Sequence, residues 1–110
     1  MKAAALILAG LLLSCSAQAQ FRTGNQLLTE MQEPANYRSG LAMGYVMGVT
    51  DAGNGVSFCP PSNVTAGQIS DMVRNRLFDT PAIRHLPADI IIYSILEPVW
   101  PCAKRRGSGV

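Results

Sequence analysis

Apolar residues recur at helical spacing along most of the chain, and prolines or glycines separate the periodic segments. The clearest segment follows Pro87, where apolar side chains stand at positions i, i+3, i+4, i+7, i+8 and i+11 and would share one wide face of a helix. These side chains are Ala88, Ile91, Ile92, Ile95, Leu96 and Val99. The β-branched run at residues 90–92 would also suit a strand. The longer periodicity favours a helix, which Pro98 and Pro101 should end.

Two earlier segments open with the same polar signature. Thr23 is followed three residues later by Gln26, and Thr65 by Gln68, which is the capping-box pattern of a helix start. An apolar stripe at helical spacing follows each of them. The first stripe is Leu27, Leu28 and Met31 and stops before Pro34, and the second is Ile69, Met72, Val73 and Leu77. The pattern therefore predicts one helix after Thr23 and another after Thr65.

Small residues stand at every fourth position from Gly40 through Gly44 and Gly48 to Ala52, and they would line one side of a helix. The apolar stretch at 41–49 is too short to cross a bilayer, which takes roughly 20 residues. The spacing also differs from the G-x-G-x-x-G of dinucleotide-binding loops. Since each mid-helix glycine costs about 1 kcal/mol relative to alanine, we expect compensation by close packing. The isoleucine-rich last helix is the favoured neighbour, and a docked partner protein is the alternative.

These patterns, taken together, predict the fold class. Thr80 followed by Pro81 adds a short helical turn, because proline suits the first helical position. No segment other than residues 90–92 suggests a strand. We therefore predict an all-α fold, a small single-domain bundle of about four helices.

The first 19 residues differ from the rest of the chain. Lys2 precedes an apolar run at 3–13, and small or polar residues fill 14–19. This order is typical of a secretory signal peptide, with cleavage after Ala19 and a mature chain starting at Gln20. The run is shorter than the roughly 20 residues of a membrane-spanning helix. An alternative is a lipoprotein signal in which Cys15 is lipidated and retained.

Loss of residues 1–19 leaves Cys59 and Cys102, an even number of cysteines in an exported chain. A disulfide between them is the direct interpretation. In the chain-entropy model it would stabilise the fold by roughly 4 kcal/mol. Two distant cysteines and a single histidine do not suit a metal site.

The formal net charge of +2 does not describe the domain. Lys2 lies in the signal peptide, and three more cations lie in the tail at 104–110, which we expect to be flexible. Between residues 20 and 103 there are five arginines and seven acidic residues. No basic face with interleaved aromatic residues is apparent, so nucleic acid is not an expected partner.

Candidate chemistry is sparse. The sequence spacing around His85 indicates no nucleophile that this histidine would activate, and the acidic residues are scattered along the chain without a close pair. We expect no catalytic, cofactor-binding or metal-binding residues, and predict that the protein is not an enzyme. The best candidate binding surface is the loop at 53–63, where Phe58 and Asn54 could contact a partner. The alternative is that Phe58 folds inward over the disulfide.

Four stretches together resemble the Rap/Tai immunity family, which consists of exported helical proteins of Gram-negative bacteria. They are FRTGNQLL (21–28), GYVMGVTDA (44–52), CPPSNVTAGQISDMV (59–73) and PAIRHLPADIIIYSILEPVWPC (81–102). Their order matches the family along nearly the whole mature chain, from T-G-N-x-L-L to the closing W-P-C. The matching positions, to which the resemblance assigns structural roles, are Gly24, Asn25, Gly44, Tyr45, Gly48, Pro61, Thr65, Pro81, Ala88, Trp100 and Pro101.

The resemblance implies a periplasmic all-α domain at residues 20–103, tied by a Cys59–Cys102 disulfide. Characterised members bind and neutralise a peptidoglycan amidase delivered by a type VI secretion system. The implied partner is therefore a cognate effector of that class, and a homodimer stays open. A second cysteine pair of many members, near Met31 and Ala42 here, is absent.

A different class of binding protein is the alternative. HdeA-type acid chaperones are also small, periplasmic, helical and held by one disulfide. They usually carry more charge than this chain, of which 15% of the residues are charged. The low charge favours the immunity protein.

Overall fold

Four α-helices form the framework of residues 21–103, the part of the chain that the computed structural model describes. They are α1 (Gly24–Met31), α2 (Tyr37–Gly53), α3 (Ala66–Asp79) and α4 (Ala88–Val99), with a 3-10 helix at Pro81–Ile83. Within these residues the only β contacts are two isolated bridges, Thr23–Pro87 and Asn54–Phe58. The predicted all-α bundle is confirmed. The predicted signal peptide, Cys15 and the basic tail lie outside the described residues.

Polar side chains start three of the helices as their sequences require. The Thr23 hydroxyl accepts a hydrogen bond from the backbone N–H of Gln26, and the Thr23 backbone N–H donates to the side-chain oxygen of Gln26. The full capping box therefore forms. The Thr65 hydroxyl likewise accepts a hydrogen bond from the backbone N–H of Gln68 at the start of α3. Asn36 caps α2 in the same way as Thr23, and this start was not predicted.

Apolar side chains from all four helices meet in one core. α4 buries most of the face that its periodicity predicts, with Ala88, Ile91, Ile92 and Leu96 at most 2% exposed. Of the other two predicted positions, Ile95 is partly buried, and Val99 at the end of the helix is 50% exposed. The other helices contribute Leu27, Leu28, Ala42, Val46, Ile69, Val73 and Leu77. α4 continues one residue past Pro98, which therefore lies in its last turn rather than ending it, and Trp100 closes the helix by donating its backbone N–H to Leu96 O.

The orientation of α2 differs from the prediction. Its buried residues are Ala42, Val46, Thr50 and Gly53, whereas Gly40, Gly44, Gly48 and Ala52 are exposed on the opposite side. A Cβ built on any of the three exposed glycines meets nothing within 4 Å. The expected packing of these glycines against the last helix is therefore wrong. Valine and alanine bury more apolar area than glycine, so the side of α2 that carries Ala42 and Val46 faces the core.

Backbone hydrogen bonds join the start of α1 to the start of α4. Gly24 N donates to Leu86 O at 3.0 Å, Asn25 N to Arg84 O at 2.8 Å, and Ala88 N to Arg22 O at 2.8 Å. These bonds hold residues 22–25 against the segment that leads into α4.

Candidate interaction surface

The loop between α2 and α3 is covalently tied to the end of α4. We call residues 54–63 the disulfide loop. Cys59 and Cys102 form the predicted disulfide, with an S–S distance of 2.04 Å and Cα atoms 4.8 Å apart. Beside it, Cys59 N donates to Trp100 O at 2.7 Å. The predicted pairing is confirmed. The disulfide and the backbone hydrogen bond together hold the loop at the end of α4.

The first four residues of the loop form a closed turn, which we call the tip turn (residues 54–57). Gly55 N donates to Phe58 O at 2.8 Å, and the backbone N–H groups of Val56 and Ser57 both donate to Gly53 O, at 3.0 and 2.9 Å. Gly55 has φ +79°, a conformation that residues with a side chain rarely adopt. Backbone bonds and one glycine therefore define the shape of the turn.

Phe58 packs into the domain rather than facing solvent, which is the inward orientation that the sequence left open for it. Its side chain is fully buried and lies edge-on against Tyr93, with ring centroids 5.4 Å apart. A Cβ on Gly53 would lie 2.5 Å from Cε1 of the Phe58 ring, so glycine at this position makes room for the ring. Burial of an aromatic ring is strongly favourable, and Phe58 accordingly anchors the loop from inside.

Asn54 and Val56 face solvent at the tip turn. Asn54 is exposed, and its backbone N–H donates to Thr50 O at the end of α2. Val56 is 78% exposed and was not predicted as a site residue. The adjoining Gly55 was the available signal, because a glycine-built turn places its neighbour at the tip. At the tip of the loop the exposed apolar side chain is therefore Val56, and Phe58 is the buried one.

A second open surface runs along α2. Gly40, Gly44 and Gly48 leave its outer side without side chains. One end of this side borders a groove of about 390 Å³ between α1, α2 and α3. Met31, Met43 and the paired Asp71 and Arg74 are among its lining residues. The groove is shallow and open, with one charge of each sign at its edge.

Charged and polar side chains near α1 and α2 form two small clusters. Arg22 pairs with Glu30 at 3.0 Å, and its guanidinium lies 5.5 Å from the centre of the Tyr45 ring. Burial, followed by the charge of Asp89, raises the pKa of Tyr45. On the exposed side, hydrogen bonds from Arg38 and then Asn36 lower the pKa of Glu33. These groups stabilise the protein's own helices.

The described residues hold no arrangement suited to metal binding, since no three His, Cys, Asp or Glu side chains lie close enough together. His85 is exposed in the turn before α4. Its neighbour Arg84 donates to Leu77 O and Phe78 O and so caps α3. In this same part of the chain, none of the helices has the length and hydropathy that a bilayer crossing requires.

The positions matched to the Rap/Tai pattern are spread over the fold. Gly24 and Ala88 are buried where α1 meets the start of α4, and Trp100 is half-buried beside the disulfide. Tyr45 is half-buried, whereas the following positions are exposed: Asn25, Gly44, Gly48, Pro61, Thr65, Pro81 and Pro101. Among these positions only Ala88 was assigned to a buried face by the sequence pattern, and it is buried.

Residues 23–102 match the family model of Rap1a immunity proteins. The match begins at the N-cap of α1 and ends at Cys102, so it spans all four helices and the disulfide. Comparison with curated proteins finds no match. The resemblance to Rap/Tai immunity proteins is confirmed, whereas the acid-chaperone alternative and the homodimer gain no support.

Proposed function

The chain belongs to the Rap1a immunity protein family, and from this membership we propose that it neutralises a type VI secretion amidase effector in the periplasm. The family match over the whole disulfide-tied domain is the observation that carries the proposal. The protein acts by binding and is not itself an enzyme. Its effector is a peptidoglycan amidase, and neutralisation protects the producing cell and its siblings.

The mechanism that we propose is steric. The immunity protein covers the active-site cleft of the amidase and keeps the muropeptide substrate out. A rigid surface favours such inhibition, because little conformational entropy is lost on binding. The described domain offers rigidity through its buried core and the Cys59–Cys102 disulfide. No proton transfer or bond cleavage by the immunity protein is required.

Location follows from the N-terminal sequence. We propose export through the signal peptide at 1–19 and a periplasmic mature chain that starts at Gln20. Retention of a lipidated Cys15 at the outer membrane is the alternative. Mass spectrometry of the mature protein distinguishes the two, because only the second product begins at Cys15 and carries the mass of attached lipid.

The binding proposal is tested by capture followed by inhibition. The full-length chain, with a C-terminal tag, is expressed in its own host, and co-purifying proteins are identified by mass spectrometry. We expect an amidase, encoded by a neighbouring gene, to co-purify. Its purified form should then lose peptidoglycan hydrolysis when the mature immunity protein is added at equal concentration.

Two results would contradict this function. The first is a neighbouring gene product that is no amidase together with no co-purifying effector. The second is an amidase that binds but hydrolyses peptidoglycan at an undiminished rate. Suppression of client-protein aggregation at strongly acidic pH by a chain that captures no amidase would favour the acid-chaperone alternative instead.

A further inference from the structure

Asn54 and Gly55 form the only Asn-Gly sequence of the chain, and it lies at the start of the tip turn. The other asparagines precede residues with a side chain, namely Gln26, Tyr37, Val64 and Arg76. An asparagine side chain can be attacked by the backbone nitrogen of the next residue, and glycine hinders this attack least because it has no Cβ. Asn54 is also exposed to solvent. The turn therefore contains the reacting groups of an intramolecular deamidation.

This reaction replaces an amide by a carboxylate and consumes only water. The Gly55 nitrogen gives its proton to hydroxide and bonds to Cγ of Asn54. The Cγ–Nδ2 bond breaks at the same carbon, and Nδ2 takes a proton from water and leaves as ammonia. Water then opens the succinimide ring at either carbonyl. The product is an aspartate, or an isoaspartate whose main chain is longer by one carbon.

The closed tip turn opposes the first step. Gly55 N–H donates to Phe58 O at 2.8 Å, and a hydrogen-bonded amide retains its proton more firmly than a free one. Asn54 has extended backbone, with ψ 126°. Ring closure requires rotation about its Cα–C bond until the Gly55 nitrogen lies beside Cγ. Because this rotation turns the Gly55 N–H away from Phe58 O, deamidation requires the turn to open.

Attachments on both sides hold the turn closed. Before it, Asn54 N–H donates to Thr50 O at 2.9 Å at the end of α2. After it, the Phe58 ring is fully buried against Tyr93, and Cys59 is bonded to Cys102. A segment that is anchored in this way opens less often than a free loop. The strength of these attachments therefore sets the rate of deamidation.

A carboxylate at position 54 would destabilise the end of α2. Asn54 is the C-cap residue of that helix, where the helix dipole disfavours negative charge. Asp51 is exposed three residues earlier and would repel the new charge. An isoaspartate would in addition lengthen the main chain between the hydrogen bonds of the Asn54 and Gly55 N–H groups. Either product weakens the closed form of the turn.

We propose that Asn54 is a latent deamidation site, which the closed tip turn protects in the folded, disulfide-bonded protein and which reacts when the turn opens. Reaction irreversibly places a negative charge in the stretch at 52–70, which otherwise has no charged residue. The inference concerns the chemistry of this chain alone and stands independently of the proposed function.

The first test measures deamidation at each asparagine of the mature chain at slightly alkaline pH. It compares the folded wild type, the wild type unfolded in guanidinium chloride with reductant, and the folded Cys59→Ala, Cys102→Ala double variant. Peptide mass spectrometry quantifies the acid product at each position, and enzymatic methylation identifies isoaspartate. Asn63 is the internal control, because it is exposed in the same disulfide loop but precedes Val64.

The expected rates follow from the need for opening. In the unfolded chain Asn54 should react at least about 10-fold faster than Asn63, because only Asn54 precedes glycine. It should also react at least about 10-fold faster there than in the folded wild type. The double variant should deamidate at Asn54 at least about threefold faster than the folded wild type. Circular dichroism verifies its helices, and the comparison of folded and unfolded wild type does not depend on this variant.

The second test measures what the product does to stability. Asn54→Asp introduces the carboxylate without lengthening the main chain and should melt about 2–6 °C below the wild type. Asn63→Asp is the matched control. It places the same charge just before α3, where the helix dipole favours it, and should not lower the melting temperature.

Four results would overturn the proposal or one of its parts. Equal rates at Asn54 in the folded and unfolded wild type would exclude protection by the turn. Equal rates at Asn54 and Asn63 in the unfolded chain would exclude Asn54 as the preferred site. A folded double variant that reacts no faster than the wild type would show that the disulfide does not keep the turn closed. An Asn54→Asp variant as stable as the wild type would exclude the predicted effect of the product.

Discussion

At the scale of single residues, the glycines fall into two groups. A Cβ on Gly24 would lie 2.7 Å from Ile91 Cδ1 and 2.9 Å from the backbone oxygen of Arg84. A Cβ on Gly44 or Gly48 meets nothing within 4 Å. The contact with Arg84 O involves a backbone atom that cannot move cheaply, so glycine is required by packing at position 24. Gly44 and Gly48 are not.

Two alanine substitutions test this distinction. Gly24→Ala should lower the free energy of unfolding by about 1–3 kcal/mol through overpacking. Gly44→Ala should raise it by about 0.4–1 kcal/mol, because it reduces the entropy of the unfolded chain and meets no neighbour. Urea unfolding followed by circular dichroism measures both values. A Gly44→Ala variant less stable than the wild type would contradict the exposed orientation of α2.

Tyr45 gives the folded protein a predicted alkaline sensitivity. Burial and the Asp89 carboxylate raise its pKa above the ordinary value of 10.0, while an Asp89 backbone hydrogen bond and the Arg22 charge act in the opposite direction. The neutral phenol therefore stabilises the fold. This contribution is complete below pH 10.0 and is lost as the pH rises through the folded-state pKa.

Tyr45→Phe removes the titrating group and should reduce the loss of stability at alkaline pH. The melting temperature of the variant should fall less than that of the wild type between neutral pH and the region above the ordinary tyrosine pKa. Thermal unfolding at a series of pH values checks this expectation. Parallel curves for the two proteins would show that Tyr45 contributes nothing to the pH dependence.

At the scale of elements, an arginine side chain closes α3. The Nε and terminal nitrogen atoms of Arg84 donate to Leu77 O at 2.5 Å and to Phe78 O at 2.8 Å. These carbonyls belong to the last turn of the helix, where they lack intrahelical partners and where positive charge is favoured. The guanidinium thus links the end of α3 to the segment that precedes α4.

Arg84→Ala should destabilise the protein by about 1.5–3 kcal/mol, the range for hydrogen bonds to charged groups. The matched control is Arg76→Ala, because Arg76 is exposed in the same turn of α3. It should change the stability by no more than about 0.5 kcal/mol. Chemical denaturation measures both, and equal losses would mean that charge at the helix end matters rather than the two hydrogen bonds.

The sequence predicted three of the helices and their buried faces because large apolar side chains recur at helical spacing in each of them. Thr23 and Thr65 marked two starts, and the face of α4 appeared in the spacing of Ile91, Ile92 and Leu96. α2 was different. It carries two parallel stripes of mostly small residues, one with Gly44 and one with Val46, and glycine leaves no side chain to indicate which stripe faces the core. Tertiary packing alone decides the orientation.

The candidate surface was predicted as a segment but not as a residue. The glycines and prolines around residues 53–63 indicated a constrained loop, and the two cysteines indicated its attachment. Phe58 and Val56 are both apolar and only two positions apart. Their opposite exposure depends on the space that Gly53 leaves for the aromatic ring, a contact that no local pattern contains.

At the scale of the whole molecule, one covalent bond closes a loop around half of the bundle. The disulfide joins residues 43 positions apart and encloses α3 and α4, whereas α1 and α2 lie outside the closed loop. α1 is held only by non-covalent contacts, including its backbone bonds to residues 84–88. The disulfide therefore restricts the unfolded chain of α3 and α4 directly, whereas α1 depends on its packing against them.

Cys59→Ala combined with Cys102→Ala should lower the free energy of unfolding by about 4 kcal/mol, as expected from the loss of loop-closure entropy. The double variant avoids a free thiol. The wild type in reducing buffer should unfold at the same denaturant concentration as the double variant in either buffer. A wild type whose unfolding is insensitive to reductant would contradict the structural role of this bond.

The construction of the tip turn has an evolutionary consequence. Its shape depends on backbone hydrogen bonds, Gly55 and the buried Phe58, while the side chains of Asn54 and Val56 take no part in packing. Mutations at these two positions can accumulate without loss of folding. The sequence of the turn can therefore diverge faster than that of the helical scaffold, and two chains with the same bundle can present different surfaces at this loop.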